Sequence, residues 1–188
     1  MIYLILSAII YFIPGLWVNY TLNKHNDVLS NMPFSAKEFG EELLKEQGLE
    51  DVKIETTKDG DHYDLIDKAV RVEPSRLDRK SLTSITIMCH EIGHAIQHKE
   101  KYPPLERRYK IAKVTNFLTK LASGIGYIGI PAVLATGALP LIRVCLIVVF
   151  ASILISMIIH LMTLDVELDA SFKRAMPILE KKIPVEYH

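Results

Sequence analysis

The sequence predicts an α+β membrane protein, mainly helical, with three transmembrane helices and one small domain built on a short β-sheet. Two observations carry this. First, in 188 residues no Asp, Glu, Lys or Arg occurs over 1–23, 121–142 or 144–164. A helix needs about 20 apolar residues to cross a hydrocarbon core of about 30 Å, and each run is that long. Second, the polar stretch between the first and second runs changes from period-two alternation to helical spacing. The chain therefore reads as an N-terminal anchor (1–23), a polar domain (24–120), a helical hairpin across the bilayer (121–164) and a C-terminal helix (165–188).

The elements follow in order. No Lys or Arg precedes the first apolar run, and it has no small-x-small cleavage site, so it reads as an uncleaved anchor. Pro14-Gly15 predicts a kink within it. Ser35 to Gly48 reads as a helix, with a capping box of Ser35 and Glu38, an apolar face of Phe39, Leu43 and Leu44, and Gly48 as the stop. Val52 to Thr56 alternates as a strand, and Lys58-Asp59-Gly60-Asp61 is a turn. His62 to Asp67 and Ala69 to Glu73 read as two more short strands, closed by Pro74. From Ser75 or Ser81 the apolar residues recur at helical spacing to about His98, ahead of Pro103-Pro104. The hairpin turns at Gly137-Ala138-Leu139-Pro140, and Pro131 within it is tolerated in a membrane helix.

Charge sets topology and excludes one class of partner. With 22 basic and 22 acidic residues the net charge is zero, so no nucleic-acid partner is expected. Residues 98–120 carry Lys99, Lys101, Arg107, Arg108, Lys110, Lys113 and Lys120 against Glu100 and Glu106. Such a flank stays in the cytoplasm. The N-terminus is then outside, and the hairpin returns the tail to the side of the polar domain. Cys89 and Cys145 give no disulfide framework and read as small buried hydrophobes.

The chemistry lies in Cys89-His90-Glu91-Ile92-Gly93-His94-Ala95-Ile96-Gln97. His90 and His94, one turn apart, leave one helix face and can converge on one metal ion, with Glu91 bordering that face as a general base. The bland alternative is two partly buried histidines on an amphipathic helix. A hydrolytic zinc site takes three protein ligands, so two histidines are incomplete. Gln97 and Glu100 rule out a third His further along the same pattern. His98 lies about 12 Å along the axis from His90 and reads as a solvated helix-end residue.

A carboxylate from another helix is the remaining solution. Asp165, Glu167 and Asp169 compete, at the membrane exit on the motif's side. A helix through this segment aligns His160, Leu164, Glu167, Ser171 and Arg174 on one stripe. Glu167 is the acid on it, and Asp165 and Asp169 point elsewhere. The competing reading is an interfacial charge cluster.

His90-Glu91-Ile92-Gly93-His94-Ala95-Ile96-Gln97, Glu167-Leu168-Asp169-Ala170-Ser171 and Asp61-His62-Tyr63-Asp64 together resemble the YugP-type neutral zinc metallopeptidases of bacterial membranes, over nearly the whole chain. HtpX-like and CaaX-processing membrane peptidases are more distantly similar. The chain departs from the family pattern after Asp64, where Leu65-Ile66 stand in place of Pro-Arg. The resemblance implies a zincin-like domain of the gluzincin kind, with one zinc per chain and Glu167 as third ligand. The expected function is a membrane-anchored endopeptidase at the cytoplasmic face of a bacterial cell membrane, in which Glu91 takes a proton from a zinc-activated water. Its expected partners are the lipid bilayer and a peptide or membrane-protein substrate. His160, Tyr63, His62 and Arg174 are candidate donors to the oxyanion, and Ser171 and Asp64 are candidate partners of the imidazoles. The strands from His62 to Glu73 could offer an edge to an extended substrate. Two other functions compete. One is a metal-binding membrane scaffold or chaperone-like protein without turnover, which has no need of Glu91. The other is a zinc hydrolase of a non-peptide substrate.

Overall fold

The structure is a computed structural model that describes residues 2–137 and 140–183, with side chains from residue 13 onward except that of residue 113. Residues 138–139 of the expected hairpin turn and 184–188 of the tail lie outside the described residues. The protein is mainly helical with one three-stranded sheet. Contacts divide it into two compact units, Met1–Glu100 with Ala170–His188, and Lys101–Asp169.

In the first unit, α1 (Ile2–Lys24) runs without interruption through Pro14. Then α2 (Ala36–Glu46) starts at the expected capping box. Ser35 Oγ accepts from the Glu38 amide at 3.3 Å, and the Glu38 carboxylate accepts from the Ser35 amide at 2.7 Å. Those bonds favour the charged carboxylate and hold Glu38 below the usual carboxylate range. Gly48 stops the helix in the left-handed conformation, with φ +61°. Strands β1 (Lys53–Thr56), β2 (His62–Asp64) and β3 (Ala69–Val72) follow. The sheet order is β1-β3-β2, with β1 parallel to β3 and β2 antiparallel to it, Tyr63 opposite Val70.

The second strand is shorter than the sequence predicts, because Asp64 turns the chain. Its Oδ1 accepts the amides of Ile66 at 2.8 Å and Asp67 at 3.1 Å. A turn closed in this way by a side chain competes with further ladder pairing. Arg71 on the central strand then binds Asp64, Glu55 and Asp67 at 2.5–3.0 Å across the sheet.

A short turn of helix, α3 (Pro74–Leu77), precedes α4 (Leu82–Lys99), the motif helix, whose N-cap is Ser81. The core forms where α4, α2 and β3 meet, on Phe39, Leu43, Val70, Val72, Ile85, Met88 and Ile92. Each is essentially fully buried. Such a side chain contributes about 1.5–3 kcal/mol. The start of α4 is tied to the end of α1: Thr83 Oγ1 donates to the Leu22 carbonyl at 2.7 Å, and Ser81 Oγ to Asn26 Oδ1 at 3.0 Å.

In the second unit, α5 (Pro103–Gly124) continues through a π-helical segment (Ile125–Gly129) into α6 (Ile130–Thr136), and α7 (Pro140–Met162) packs against α5. The basic flank therefore stands on the same helical run as the second apolar segment. Among the described residues two runs are long and apolar enough to cross a membrane, Pro103–Thr136 and Pro140–Met162. The first expected span, 1–23, coincides with α1, whose first eleven side chains lie outside the described residues.

The C-terminal region is helical as expected, but not as one regular helix. Thr163 breaks the run after α7: its amide is shared between the carbonyls of Ile159 and His160, and its hydroxyl also binds the His160 carbonyl at 3.0 Å. Beyond it come α8 (Leu164–Leu168), a second π-helical segment (Asp169–Ala175) and α9 (Met176–Lys182). Lys182 clasps Glu42 and Glu46 of α2 at 2.8 and 2.7 Å.

Candidate metal centre

The motif residues occupy the middle of α4, where the helix is most enclosed. His94 is 2% and Glu91 7% exposed, and Cys89, Ile92 and Ala95 are fully buried. Burial pushes the Cys89 thiol up to about 12, so it stays protonated and serves as the small hydrophobe the sequence predicts. The two imidazoles, one turn apart, stand edge to face with centroids 4.8 Å apart.

Each imidazole is oriented through Nδ1. Gln97 Oε1 lies 2.9 Å from His94 Nδ1, and Gln97 is completely buried. Its carbonyl oxygen accepts, so Nδ1 carries the proton and Nε2 is the nitrogen that could ligate a metal. Ser171 Oγ lies 3.1 Å from His90 Nδ1, and a hydroxyl accepting there selects the same tautomer.

The second π-helical segment reaches His90 because Gly93 lets it approach. A Cβ at Gly93 would stand 3.0 Å from the Ala170 carbonyl oxygen, a tighter approach than side-chain carbons normally make. Glycine is the residue that admits a backbone so close. Ala170 and Ala175 are buried in this seam, where the Cys89 thiol also meets the Ala175 carbonyl at 3.5 Å. Glu167 stands one turn ahead of Ser171 on the same continuous run of chain.

His90 and His94 on α4 offer one imidazole nitrogen each and Glu167 on α8 a carboxylate oxygen, a donor set that could hold a metal ion. Two imidazole nitrogens with Nδ1 already engaged, plus one carboxylate oxygen, suit the three-ligand donor set of zinc. Glu167 has a partner that the sequence did not suggest. Arg108 on α5 reaches its Oε1 at 2.6 Å.

The other candidates are placed elsewhere or engaged. Tyr63 is buried, and its hydroxyl is 2.9 Å from His98 Nδ1. Burial, with Asp51 and Asp64 nearby, raises the phenol to about 12, so it stays neutral. His98 is thus half-buried and bonded, not the solvated helix-end residue expected. His62 Nδ1 binds its own turn at the Gly60 carbonyl, 2.8 Å away. Asp61 accepts the Glu73 amide at 2.8 Å and pairs with Arg76, so the turn before β2 is clamped from both sides. Asp64 is occupied by its turn and by Arg71, not by an imidazole. Arg174 pairs with Glu100 at 2.8 Å. His160 is exposed in the last turn of α7, and the break at Thr163 separates it from the helix that carries Glu167.

Gln97 is the site residue that sequence reading missed. It stands three residues after His94, a spacing that brings side chains together on a helix, and that spacing is the signal that could have found it.

The sequence is similar to that of known proteins. The family model described as "Putative neutral zinc metallopeptidase" matches residues 1–187. The "Putative membrane protease YugP" of Bacillus subtilis (strain 168) is 32% identical over 169 residues, which cover 87% of this chain and 71% of that protein. No solved structure matches. The family description implies zinc as the ion for the His90, His94 and Glu167 group. With the motif helix, the ligand group and a family model spanning nearly every residue in agreement, the chain belongs to this zinc metallopeptidase family.

Proposed function

We propose that the protein is a membrane-anchored zinc endopeptidase that hydrolyses peptide bonds at the cytoplasmic face of a bacterial membrane, with His90, His94 and Glu167 as the zinc ligands and Glu91 as general base. What supports this reading most is the family match over residues 1–187, together with His90 and His94 one turn apart on α4 and oriented through Nδ1.

Zinc, when bound, supplies a Lewis acid that polarises the scissile carbonyl and acidifies water. Glu91 accepts the proton of the water that attacks the carbonyl carbon and delivers it to the departing amine as the C–N bond breaks. Its position next to His90, on the buried side of α4, keeps bulk water from competing for that proton. The two apolar runs support the anchoring, and the basic residues at 98–120 support the cytoplasmic orientation. The retained Glu91 speaks against a scaffold without turnover.

The test combines metal content with cleavage of a peptide library by detergent-purified full-length protein. Wild type should carry about one zinc per chain, the content of a single three-ligand site. Glu91→Gln should keep that zinc while cleavage falls about 10²–10⁴-fold, the usual worth of general acid–base catalysis. Equal cleavage by wild type and Glu91→Gln would remove Glu91 from the mechanism, and His90→Ala with full zinc would remove the site.

A further inference from the structure

We propose that Arg108 is the positioning residue of the Glu167 ligand: its guanidinium holds Oε1 so that Oε2 is presented to the metal. The inference rests on Glu167 being the third ligand, as proposed above.

A single carboxylate ligand has two equivalent oxygens and a freely turning terminal torsion, so something must fix which oxygen faces the ion. In metal sites the ligating carboxylate is itself hydrogen-bonded for this purpose. Arg108 Nη2 lies 2.6 Å from Glu167 Oε1. That is a short, charge-assisted contact. Both groups sit on paired elements of one unit: α5 starts at Pro103 and packs against both α7 and α8.

Two other roles fit less well. As a stabilising ion pair it would add little, since the side chains are 36% and 34% exposed. Ion pairs that open to solvent are weak. A small cavity of about 40 Å³ beside it is lined by Ile111, Met162, Thr163 and Asp165. That volume admits a water, not a peptide. Topology alone also does not account for the contact, because Arg107, Lys110 and Lys120 carry the basic flank without Glu167.

The experiment measures zinc affinity by chelator competition on the full chain in detergent, with the visible spectrum of the cobalt-substituted protein as a second readout. Arg108→Ala should weaken zinc about 10–100-fold, the usual loss on removing a partner of a metal ligand. It should also shift the cobalt bands, which report ligand geometry. Arg108→Lys should recover most of the affinity, because one N–H suffices for one oxygen. Arg107→Ala removes the same charge one residue away and should change neither readout. Should Arg108→Ala fold poorly, Arg108→Lys against Arg108→Gln gives the same comparison. In a Glu167→Gln background, Arg108→Ala should add no further loss, since the two act as one unit.

Unchanged or tighter zinc in Arg108→Ala, with zinc lost in Glu167→Gln, would overturn this proposal alone; tighter binding would mark Arg108 as a competitor for the carboxylate. Full zinc in Glu167→Gln would instead overturn the ligand assignment on which it rests.

Discussion

The protein contains two π-helical segments among the described residues, and each ends two residues before a proline: Ile125–Gly129 before Pro131, and Asp169–Ala175 before Pro177. Proline has no N–H for the preceding turn, and its ring crowds the carbonyl four residues back, so a widened turn relieves both problems. Pro14 lies inside α1 with no such segment, so proline permits the widening and does not dictate it. The two segments then differ completely in use. The first is exposed, with Tyr127 and Ile128 at 84% and 72%, and has no chemistry-bearing side chain aimed at a partner. The second is docked on α4 through Ala170, Ser171 and Ala175, and it brings a hydroxyl to His90. The same backbone irregularity is therefore neutral in one place and part of the candidate metal centre in the other. What distinguishes them is the partner surface, above all the missing side chain at Gly93.

The largest expected effect comes from filling that gap. In Gly93→Ala the new methyl meets a backbone carbonyl at 3.0 Å, and backbone cannot step aside as a side-chain tip can. Overpacking of this kind costs about 1–3 kcal/mol. Pushing the segment away also moves Ser171 from His90. Thermal unfolding should shift down, and zinc should bind more weakly. Gly126→Ala is the counterpart in the first segment, where nothing lies within 4 Å of the new Cβ. It should leave zinc affinity as in wild type. If both alanines behaved alike, the close seam on α4 would not be what separates the two segments.

A smaller effect follows from removing the prolines. Pro177→Ala restores an N–H and relieves the crowding, so the last turn can tighten toward α-helical geometry. Each residue taken out of a widened turn rotates what precedes it by about 100° relative to α9. Because α9 is fixed on α2 by Lys182, the rotation falls on Ala170 and Ser171. Zinc affinity should drop measurably, whereas Pro131→Ala should leave it unchanged. Equal zinc affinities in the two variants would show that the widened turn is incidental to the site.

Irregular backbone also marks where the sequence could and could not be read. The capping box at Ser35, the alternating strands and the Ser81 start of α4 rest on local rules, and the chain obeys them. Early closure of β2 was readable too, since Asp64 stands two residues before the amide it first caps. The stripe that singles out Glu167 assumes one regular helix from His160 to Arg174. Thr163 interrupts that helix and the π-helical turn alters its register, so the stripe is not one straight row on the folded chain. Asp169, which the stripe turns away, is in fact 7% exposed. Ser171 is a foreseeable partner for an imidazole. Arg108 is not a foreseeable partner for Glu167, because their contact spans the whole helical hairpin and no local pattern announces it.

The smallest effect isolates one polar contact of the docked segment with an imidazole. Ser171→Ala removes the hydroxyl 3.1 Å from His90 Nδ1 and keeps the small volume that the seam requires. A hydroxyl that accepts from Nδ1 favours the Nδ1-protonated tautomer, and without it part of the His90 population carries the proton on Nε2, where it cannot ligate. The cost is set by that tautomer equilibrium and not by packing, so stability should change little while zinc binds about 10-fold more weakly, the low end for such partners. Nitrogen chemical shifts of the His90 ring in the metal-free protein provide the direct check. Wild type should show the proton on Nδ1, and Ser171→Ala a mixture of both tautomers. His94, held by Gln97, should be unchanged in the same spectrum and serves as the internal control. A single Nδ1-protonated form for His90 in both proteins would mean that the second π-helical segment supplies close packing to the metal centre but no hydrogen bond of consequence.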